Sequence, residues 1–257
     1  MSDLKLFSLT NKKEIKKNRL GKHEIRELIE ENIEDLLGIT LIFKDYPLYS
    51  NEELVEVVGY DENYQLVVIE YRIGRFSSTI NKGLIYLDYI KNNQGKVKSI
   101  ISQELGYDIT NNLNLNPRLI VIGNDFNKYD EYAIKQMPFV IELIKYQVFE
   151  NKFILLEKNY QSTSSYLGIN HYEFKNLEEH NLYKSIRELM LALGDEVLEV
   201  NTNNYIAYRK IKNFAYLTFE NGIELKVKKN KFKTIKIKNL KDLEKAQIAL
   251  EVCYDEN

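Results

Sequence analysis

Two glutamates and an arginine occupy a predicted β-hairpin in the first half of the chain. Residues 54–72, LVEVVGYDENYQLVVIEYR, form two apolar stretches on either side of a turn around Asn63. A hairpin centred on Asn63 places Glu56 directly opposite Glu70, and it places Arg72 on the same face as Glu70 because strand side chains alternate. Facing carboxylates repel unless a cation neutralises them, and their hard oxygens suit Mg²⁺ or Mn²⁺. The pattern predicts a divalent-metal site that could polarise a phosphate and activate a water.

A simpler interpretation of the same residues needs no metal. The glutamates would lie on a solvated strand face, and Arg72 would form a cross-strand ion pair with one of them. The triplet Glu70-Tyr71-Arg72 matches E-x-[KR], which is a common pattern in proteins. The spacing alone therefore leaves both interpretations open.

The segments around the hairpin predict an α/β domain with a mixed sheet flanked by helices. Apolar residues recur at helical spacing from Ile25 to Leu37, and Gly38 supplies a stop. The short apolar run RLIVIG suits a buried strand. Strands are predicted over residues 4–9, 40–49, 54–60, 65–72, 118–123, 141–149 and 152–158, and helices over 78–92, 97–105 and 128–136.

A polar stretch, NYQSTSS at residues 159–165, has linker composition and predicts a domain boundary. We expect a first domain over residues 1–160 and a small α+β domain over residues 166–257. In the second domain, the sequence predicts a helix, a three-strand meander and a closing helix. The predicted helices are 174–194 and 240–253, and the predicted strands are 205–210, 214–220 and 223–229.

Several segments resemble the PD-(D/E)XK nuclease superfamily, in particular a domain similar to the archaeal NucS-type DNA endonucleases. Glu70-Tyr71-Arg72 after VVI resembles the end of the nuclease motif. INKGLIYLDYI, NPRLIVIGNDFNKYDEYAI and IELIKYQVFENKFILLE extend the resemblance over about residues 22–157. IAYRKIKNFAYL resembles an uncharacterised domain often fused behind the nuclease domain.

The resemblance implies a metal site with acids at Glu56 and Glu70, a lysine at Arg72, and a Gln-x-x-x-Tyr pair at Lys82 and Tyr86. It also implies a glutamate at the start of the first helix. The chain departs from this pattern, because Glu56 is longer than the usual Asp, Arg72 stays protonated, and Lys82 replaces glutamine.

The glutamate implied at the start of the first helix has two possible positions. At 100° per residue, Lys22 lies near the apolar stripe of the helix while Glu24 lies about 120° away. We therefore expect Lys22 where the inward glutamate is implied, with Glu24 as a second possibility for the metal. Cations from Lys22, Arg72 and Lys82 could then neutralise Glu56 and Glu70 without any metal, or bind a phosphate.

Three functional hypotheses follow from the resemblance and its departures. The first is a nucleic-acid-interacting protein with an impaired nuclease-like domain and no metal cofactor. The second is an active endonuclease in DNA repair or defence, dependent on Mg²⁺ or Mn²⁺, with Arg72 stabilising the phosphate. The third is a protein-interaction module without nucleic acid binding. The resemblance also leaves a homodimer open.

Charge is unevenly distributed along a chain whose formal net charge is only −2. Residues 205–241 contain eleven Lys or Arg against two acids, with aromatic residues interleaved. Lysines beside aromatic rings suit phosphate contacts combined with base stacking, although one solvated strand face would give the same pattern. The candidate nucleic-acid-binding residues are Arg209, Lys210, Lys226, Lys228, Lys229, Lys231 and Lys233.

Composition excludes several other classes of protein. One cysteine, Cys253, excludes a disulfide framework, and three histidines leave little room for a histidine metal site. No apolar window is long enough to span a membrane, and residues 1–18 lack the apolar core of a signal peptide, so we expect a cytoplasmic protein. P-loop and dinucleotide-binding glycine motifs are absent, so ATP-driven and nicotinamide chemistry have no support.

Overall fold

The structure is a computed structural model of the 257-residue chain. It describes residues 5–48, 53–74, 78–161, 174, 176–202, 204–220, 222–228 and 232–256. The chain forms two compact units, Met1–Ser164 and Ser165–Asn257. Among the described residues, none of the helices combines the length and the apolar composition needed to cross a membrane.

The first unit is built on a seven-stranded mixed sheet with helices packed on it. Its strands are β1 (Leu6–Ser8), β2 (Lys13–Ile15), β3 (Lys17–Asn18), β4 (Ile39–Tyr46), β5 (Val55–Asp61), β6 (Gln65–Arg72), β7 (Asn114–Gly123), β8 (Ile141–Phe149) and β9 (Phe153–Gln161). Its helices are α1 (Lys22–Glu31), α2 (Ile33–Leu37), α3 (Thr79–Asn92), α4 (Gln94–Leu105), α5 (Tyr107–Asn112) and α6 (Lys128–Lys135). This architecture confirms the predicted mixed sheet flanked by helices.

The central strands of the sheet run in parallel, and the outer strands are antiparallel. The strand order is β3-β8-β7-β6-β5-β4, with β9 also paired to β8. β7 pairs in parallel with both β6 and β8, and its segment from Leu119 to Gly123 is buried between them. Buried residues on both faces explain why the short run RLIVIG has no polar alternation.

The β5–β6 hairpin has the register that the sequence predicts. Val57 pairs with Ile69 and Tyr60 pairs with Leu66, so paired residue numbers have the sum expected for a turn centred on Asn63. Tyr64 takes a left-handed conformation at φ 58° and closes the turn. Every residue of β6 is buried, because β6 lies between two neighbouring strands and under helices on both faces.

The predicted first helix is two helices in the structure. The backbone leaves helical geometry at Asn32, where φ is −121°, and resumes as α2. The predicted stop is confirmed, because Gly38 adopts the left-handed conformation at φ 64° that glycine allows. Arg26 on α1 donates two hydrogen bonds of 2.7 Å to Asp45 on β4. These contacts hold α1, which begins at Lys22, against β4.

Helix α3 packs unusually close to the sheet. Gly83 makes this approach possible, because a Cβ at this position would lie 2.5 Å from Leu119 Cδ2. Tyr86, Leu87 and Ile90 are fully buried on the same side of the helix. The close packing brings the first turn of α3, which contains Lys82, over the end of the β5–β6 hairpin.

A buried ion network lies at the turn end of the same hairpin. Arg118 on β7 contacts Asp61 Oδ2 at 3.2 Å and Glu142 Oε1 at 2.8 Å. The other oxygen of Asp61 accepts hydrogen bonds from the backbone N–H groups of Asn63 and Gln65. The network ties the turn to β7 and β8 and satisfies these charges inside the protein.

The second unit is a five-stranded antiparallel meander with two long helices. Its elements are α7 (Leu177–Ala192), β10 (Leu198–Asn201), β11 (Ile206–Arg209), β12 (Asn213–Thr218), β13 (Glu224–Lys228), β14 (Phe232–Lys236) and α8 (Leu240–Glu256). Three strands were predicted, and the structure has two more, β10 and β14, at the edges of the sheet. β10 and β14 are short and half polar, so they lack the apolar run that identified the three inner strands.

The N-terminal segment differs from its prediction as well. One short strand was expected over residues 4–9, and the structure has β1 at Leu6–Ser8 within the described part of that range. β1 pairs with β2 in a separate two-stranded antiparallel ribbon that the sequence did not indicate. The second strand has only three residues, KEI, and two of them are charged, so it carries no hydrophobic alternation that could have revealed it.

Candidate functional site

The hairpin brings Glu56 and Glu70 together in the interior of the first unit. The backbone N–H of Glu56 donates to Glu70 Oε1 at 3.2 Å, and the backbone N–H of Tyr71 donates to Glu56 Oε2 at 2.8 Å. Both residues are buried, with 6% of Glu56 and 1% of Glu70 exposed. Two carboxylates this close in a buried place must be neutralised or protonated.

Lys22 neutralises Glu56. Its Nζ forms an ion pair and a short hydrogen bond with Glu56 Oε1 from the first residue of α1. Lys22 therefore points inward at the position expected from the helical stripe. Its side chain is 46% exposed, so the ammonium group also faces solvent.

Lys82 neutralises Glu70. Its Nζ lies 3.0 Å from Glu70 Oε2 and 4.0 Å from Glu56 Oε1, and it also donates to the backbone carbonyl of Leu54 at 3.0 Å. The ammonium therefore lies against both carboxylates, in the space that a bridging cation would need. Its side chain is 29% exposed, so one side of the group remains accessible to solvent.

The pKa of Glu70 reflects this crowded environment. Burial, together with the neighbouring charge of Glu56, raises the pKa of Glu70 to about 7, against a lowering effect of Lys82. The hydrogen bond from the Glu56 backbone also favours the ionised form, but it does not outweigh burial. Near neutral pH the carboxyl group of Glu70 is therefore partly protonated.

Arg72 has a half-buried partner on α6. Its guanidinium Nη1 lies 2.8 Å from Asp130 Oδ2, and its Nε donates to the Gly74 carbonyl at 3.0 Å. The group also lies 5.4 Å from the centre of the Phe126 ring. The expected cross-strand ion pair of Arg72 with a hairpin glutamate stays a prediction.

Tyr86 lies under the lysine, one helical turn along α3. Its ring centre is 5.6 Å from Lys82 Nζ, and the side chain is fully buried. The hydroxyl has no hydrogen-bond partner among the residues that the structure describes. Burial, and then the charge of Glu70, raise the pKa of Tyr86 above its usual value, so the phenol stays neutral.

Glu24 lies away from the two hairpin acids. It is exposed, and its Oε2 accepts a hydrogen bond of 2.7 Å from the backbone N–H of Gly21 at the start of α1. This contact is one half of a helix-capping arrangement. The role of Glu24 as a possible metal ligand stays a prediction, and in the structure its carboxylate satisfies the helix terminus.

The residues at the hairpin do not fit a divalent cation as they stand. Mg²⁺ prefers six oxygen ligands in near-octahedral geometry, whereas the hairpin offers two carboxylates that already bind ammonium groups. Within the described ranges, no three side chains of His, Cys, Asp or Glu come together as a possible metal site. A metal could enter only after Lys82 moved away from Glu70.

The C-terminal cations that the structure describes lie in different surroundings. Arg209 is buried, and Lys210 Nζ donates to the Tyr254 carbonyl at 2.7 Å while lying 4.2 Å from the Tyr254 ring centre. Lys226 lies opposite Thr234 on the outer face of the sheet, but Lys233 pairs beside buried Val227 on the other face. Lys229, Lys231 and the side chain of Lys228 lie outside the described residues.

The N-terminal segment is strongly cationic, and no sequence motif indicates it. Residues 5–22 carry seven Lys or Arg against the single acid Glu14. The structure places this segment in the β1–β2 ribbon and in the strand that leads to Lys22, and all seven cations are exposed. A count of charge along the N-terminal segment would have found it. Asp130 was also missed, and no sequence signal links it to Arg72.

Comparison with known proteins gives a class of fold and two structural neighbours. The mixed sheet and the helices packed on it define an α/β domain that carries the two hairpin acids. No protein-family model and no curated protein matches the chain. Two similar solved structures are a repair endonuclease from Pyrococcus abyssi and EndoMS in a complex with double-stranded DNA.

The likeness to each neighbour covers about half of both chains. The Pyrococcus abyssi protein has 18% identity and a TM-score of 0.34 over 51% of this chain and 48% of its own. The EndoMS complex has 19% identity and a TM-score of 0.30 over 50% of this chain and 47% of its own.

Proposed function

We propose that the protein binds nucleic acid through a nuclease-like domain and does not hydrolyse it with Mg²⁺. The observation that carries this proposal is the pair of ion pairs at the hairpin, Lys22 with Glu56 and Lys82 with Glu70. These lysines supply two positive charges to the two carboxylates that a catalytic metal would need. The charge of the site is therefore balanced by the chain itself.

The energetics of the buried acids support this assignment. A divalent cation would have to displace the Lys82 ammonium, which makes three contacts, to Glu70, Glu56 and the Leu54 carbonyl. Removing one partner from a buried ion pair costs about 3–5 kcal/mol, and this cost would be subtracted from the affinity for the metal. Because Lys82 is partly exposed, we expect a cost toward the lower end of that range.

Phosphate recognition is compatible with the same arrangement. Lys22 and Lys82 each have solvent-exposed surface, and an ammonium group has three N–H donors, so each can bind a carboxylate and a phosphate oxygen together. Tyr86 stays neutral beneath Lys82 and adds no competing charge. In this role the cations hold a nucleic acid backbone without activating a water.

The proposal is tested by metal titration, cleavage and binding measured on the same full-length preparation. Calorimetry with Mg²⁺ and Mn²⁺ should show no micromolar binding, and single-stranded, flap and mismatched DNA should remain intact with either metal. Fluorescence anisotropy should show DNA binding in EDTA that weakens as salt rises. Glu70→Ala is compared with Glu104→Ala, which changes an exposed glutamate on α4.

Two results would overturn the proposal. Micromolar Mg²⁺ binding that disappears in Glu70→Ala and persists in Glu104→Ala would show that the lysines give way to a metal. Absence of DNA binding at low salt, in a protein that is folded by circular dichroism, would remove the nucleic acid partner altogether.

A further inference from the structure

We propose that the β1–β2 ribbon is a DNA-binding arm that enters the major groove of a B-form duplex. This inference rests on the proposed function, because it assumes that nucleic acid is the partner, and it names the binding element and the kind of duplex. The observation behind it is the unusual surface of the ribbon. Exposed cations lie just before β1, in the turn, at the start of β2 and at the ribbon base, and Leu9 in the turn is exposed.

The ribbon is a separate element anchored at one end. β1 and β2 pair only with each other among the described residues, with Leu6 opposite Ile15 and Ser8 opposite Lys13. The chain then joins the main sheet through β3, which pairs with the end of β8. The free end is a turn that contains Leu9, whose surface is 88% exposed.

The surface of the ribbon combines charged and apolar groups. Leu6, Ser8 and Ile15 are half-buried and share one side with Lys13, which pairs with Ser8, so alternation places Phe7 and its partner Glu14 on the other side. Phe7 is 55% exposed, and the acid beside it is the single one in the ribbon. The exposed cations of the ribbon and of the strand at its base are Lys5, Lys12, Lys13, Lys16, Lys17 and Arg19.

The dimensions of the ribbon select one kind of nucleic acid. Paired strands lie about 4.8 Å apart, and a two-stranded ribbon with side chains fits a major groove about 12 Å wide but not a minor groove about 6 Å wide. The major groove of A-form RNA is too narrow and deep to admit it. Lys5 before β1, Lys12 in the turn and Lys13 on β2 would then reach the phosphates that flank the groove, while Leu9 contacts base edges.

The ribbon also leads into the hairpin site. Arg19 follows β3, and Lys22 begins α1 and contacts Glu56. A phosphate backbone that follows the cations from the ribbon base would therefore arrive at Lys22. The ribbon and the hairpin site form one cationic path within the first unit.

The test measures anisotropy of a labelled duplex DNA of random sequence between 50 and 200 mM salt. The variant Lys12→Gln/Lys13→Gln/Lys16→Gln removes three ribbon cations, and Lys91→Gln/Lys96→Gln/Lys98→Gln removes three exposed cations from α3 and α4. Each lost phosphate contact lowers the slope of log K against log salt by about 0.9, so we expect a decrease of about 2.7 for the ribbon variant. The control variant should keep the wild-type slope.

Two further measurements address the tip and the choice of partner. Leu9→Ser should weaken duplex binding about fivefold with an unchanged salt slope, because it removes an apolar contact and no charge. An RNA duplex of the same sequence should bind more weakly than the DNA duplex to wild type, and equally to wild type and Leu9→Ser.

The outcomes separate this inference from the function on which it rests. If wild type binds duplex DNA and the ribbon variant keeps the same slope as the control variant, the ribbon inference is refuted while nucleic acid binding stands. If wild type binds no nucleic acid, both fail. Binding of wild type to phosphatidylserine vesicles but not to DNA would assign the ribbon to a membrane surface and overturn the inference.

Discussion

The substitution Glu70→Gln should change how the stability of the protein depends on pH. Burial beside Glu56 raises the pKa of Glu70 from an ordinary value of 4.5 to about 7 in the folded chain. A raised pKa means that the folded state holds the proton more tightly than the unfolded state does. The stability that this provides is fully present below about pH 4.5, and it is lost as pH rises through about 7. Glutamine mimics the protonated carboxyl and has no such dependence.

The size of the effect follows from the two pKa values. One unit of pKa difference corresponds to about 1.4 kcal/mol, so the free energy of unfolding of wild type should fall by roughly 2–3 kcal/mol relative to Glu70→Gln between pH 5 and pH 8. Urea unfolding of both proteins at intervals across this range measures the difference directly. Glu104→Gln is the matched control, since it changes an exposed glutamate, and its difference from wild type should not vary with pH.

A flat difference between wild type and Glu70→Gln across pH 5–8 would refute this reasoning. It would mean that Lys82, at 3.0 Å from the carboxylate, compensates fully for burial. A difference of the opposite sign would mean that the ion pair with Lys82 outweighs burial and lowers the pKa of Glu70.

Three further predictions follow from the same contacts. Lys22→Glu combined with Lys82→Gln places three carboxylates and no ammonium at the hairpin, and calorimetry should show Mn²⁺ affinity at least tenfold above that of wild type. Arg72→Lys should lower the free energy of unfolding, measured by urea titration, by about 2–3 kcal/mol. Lysine cannot make the contacts to Asp130, to the Gly74 carbonyl and to the Phe126 ring at the same time. The control Lys128→Arg changes an exposed residue and should have little effect in the same titration. Arg118→Met should lower the free energy of unfolding by about 3–5 kcal/mol, because Asp61 and Glu142 would be left buried without their cation, and a change below 1 kcal/mol would contradict that role.

The hairpin shows what local sequence patterns can predict. Its register follows from one turn and from alternation along two strands, and both signals lie within residues 54–72. The inward direction of Lys22 was also predictable, because the apolar stripe of α1 determines which face meets the sheet. Local periodicity was therefore enough to bring Lys22 and the two hairpin acids into one region.

The ion-pair partners and the burial of the cations could not be predicted in the same way. Arg72 shares a strand face with Glu70, yet it pairs with Asp130, which the fold brings close from a distant helix. Arg209 lies in a run of basic residues, but all four residues of β11 are buried and the side chain points away from solvent. A run of charged residues in the sequence shows only the local composition. The burial of each charged side chain depends on how distant elements pack around it.

The two lysine ion pairs determine what the hairpin acids can respond to. A carboxylate pair held by Mg²⁺ would gain stability with metal concentration, because ligand binding to the folded state shifts the folding equilibrium. The pairs with Lys22 and Lys82 lie within the chain and have no such dependence. What remains variable is the proton on Glu70, whose pKa is about 7. Protonation of Glu70 removes one negative charge beside Lys82, so the site gains positive charge as pH falls through neutrality. Under the proposed function, the site should then bind a phosphate more tightly.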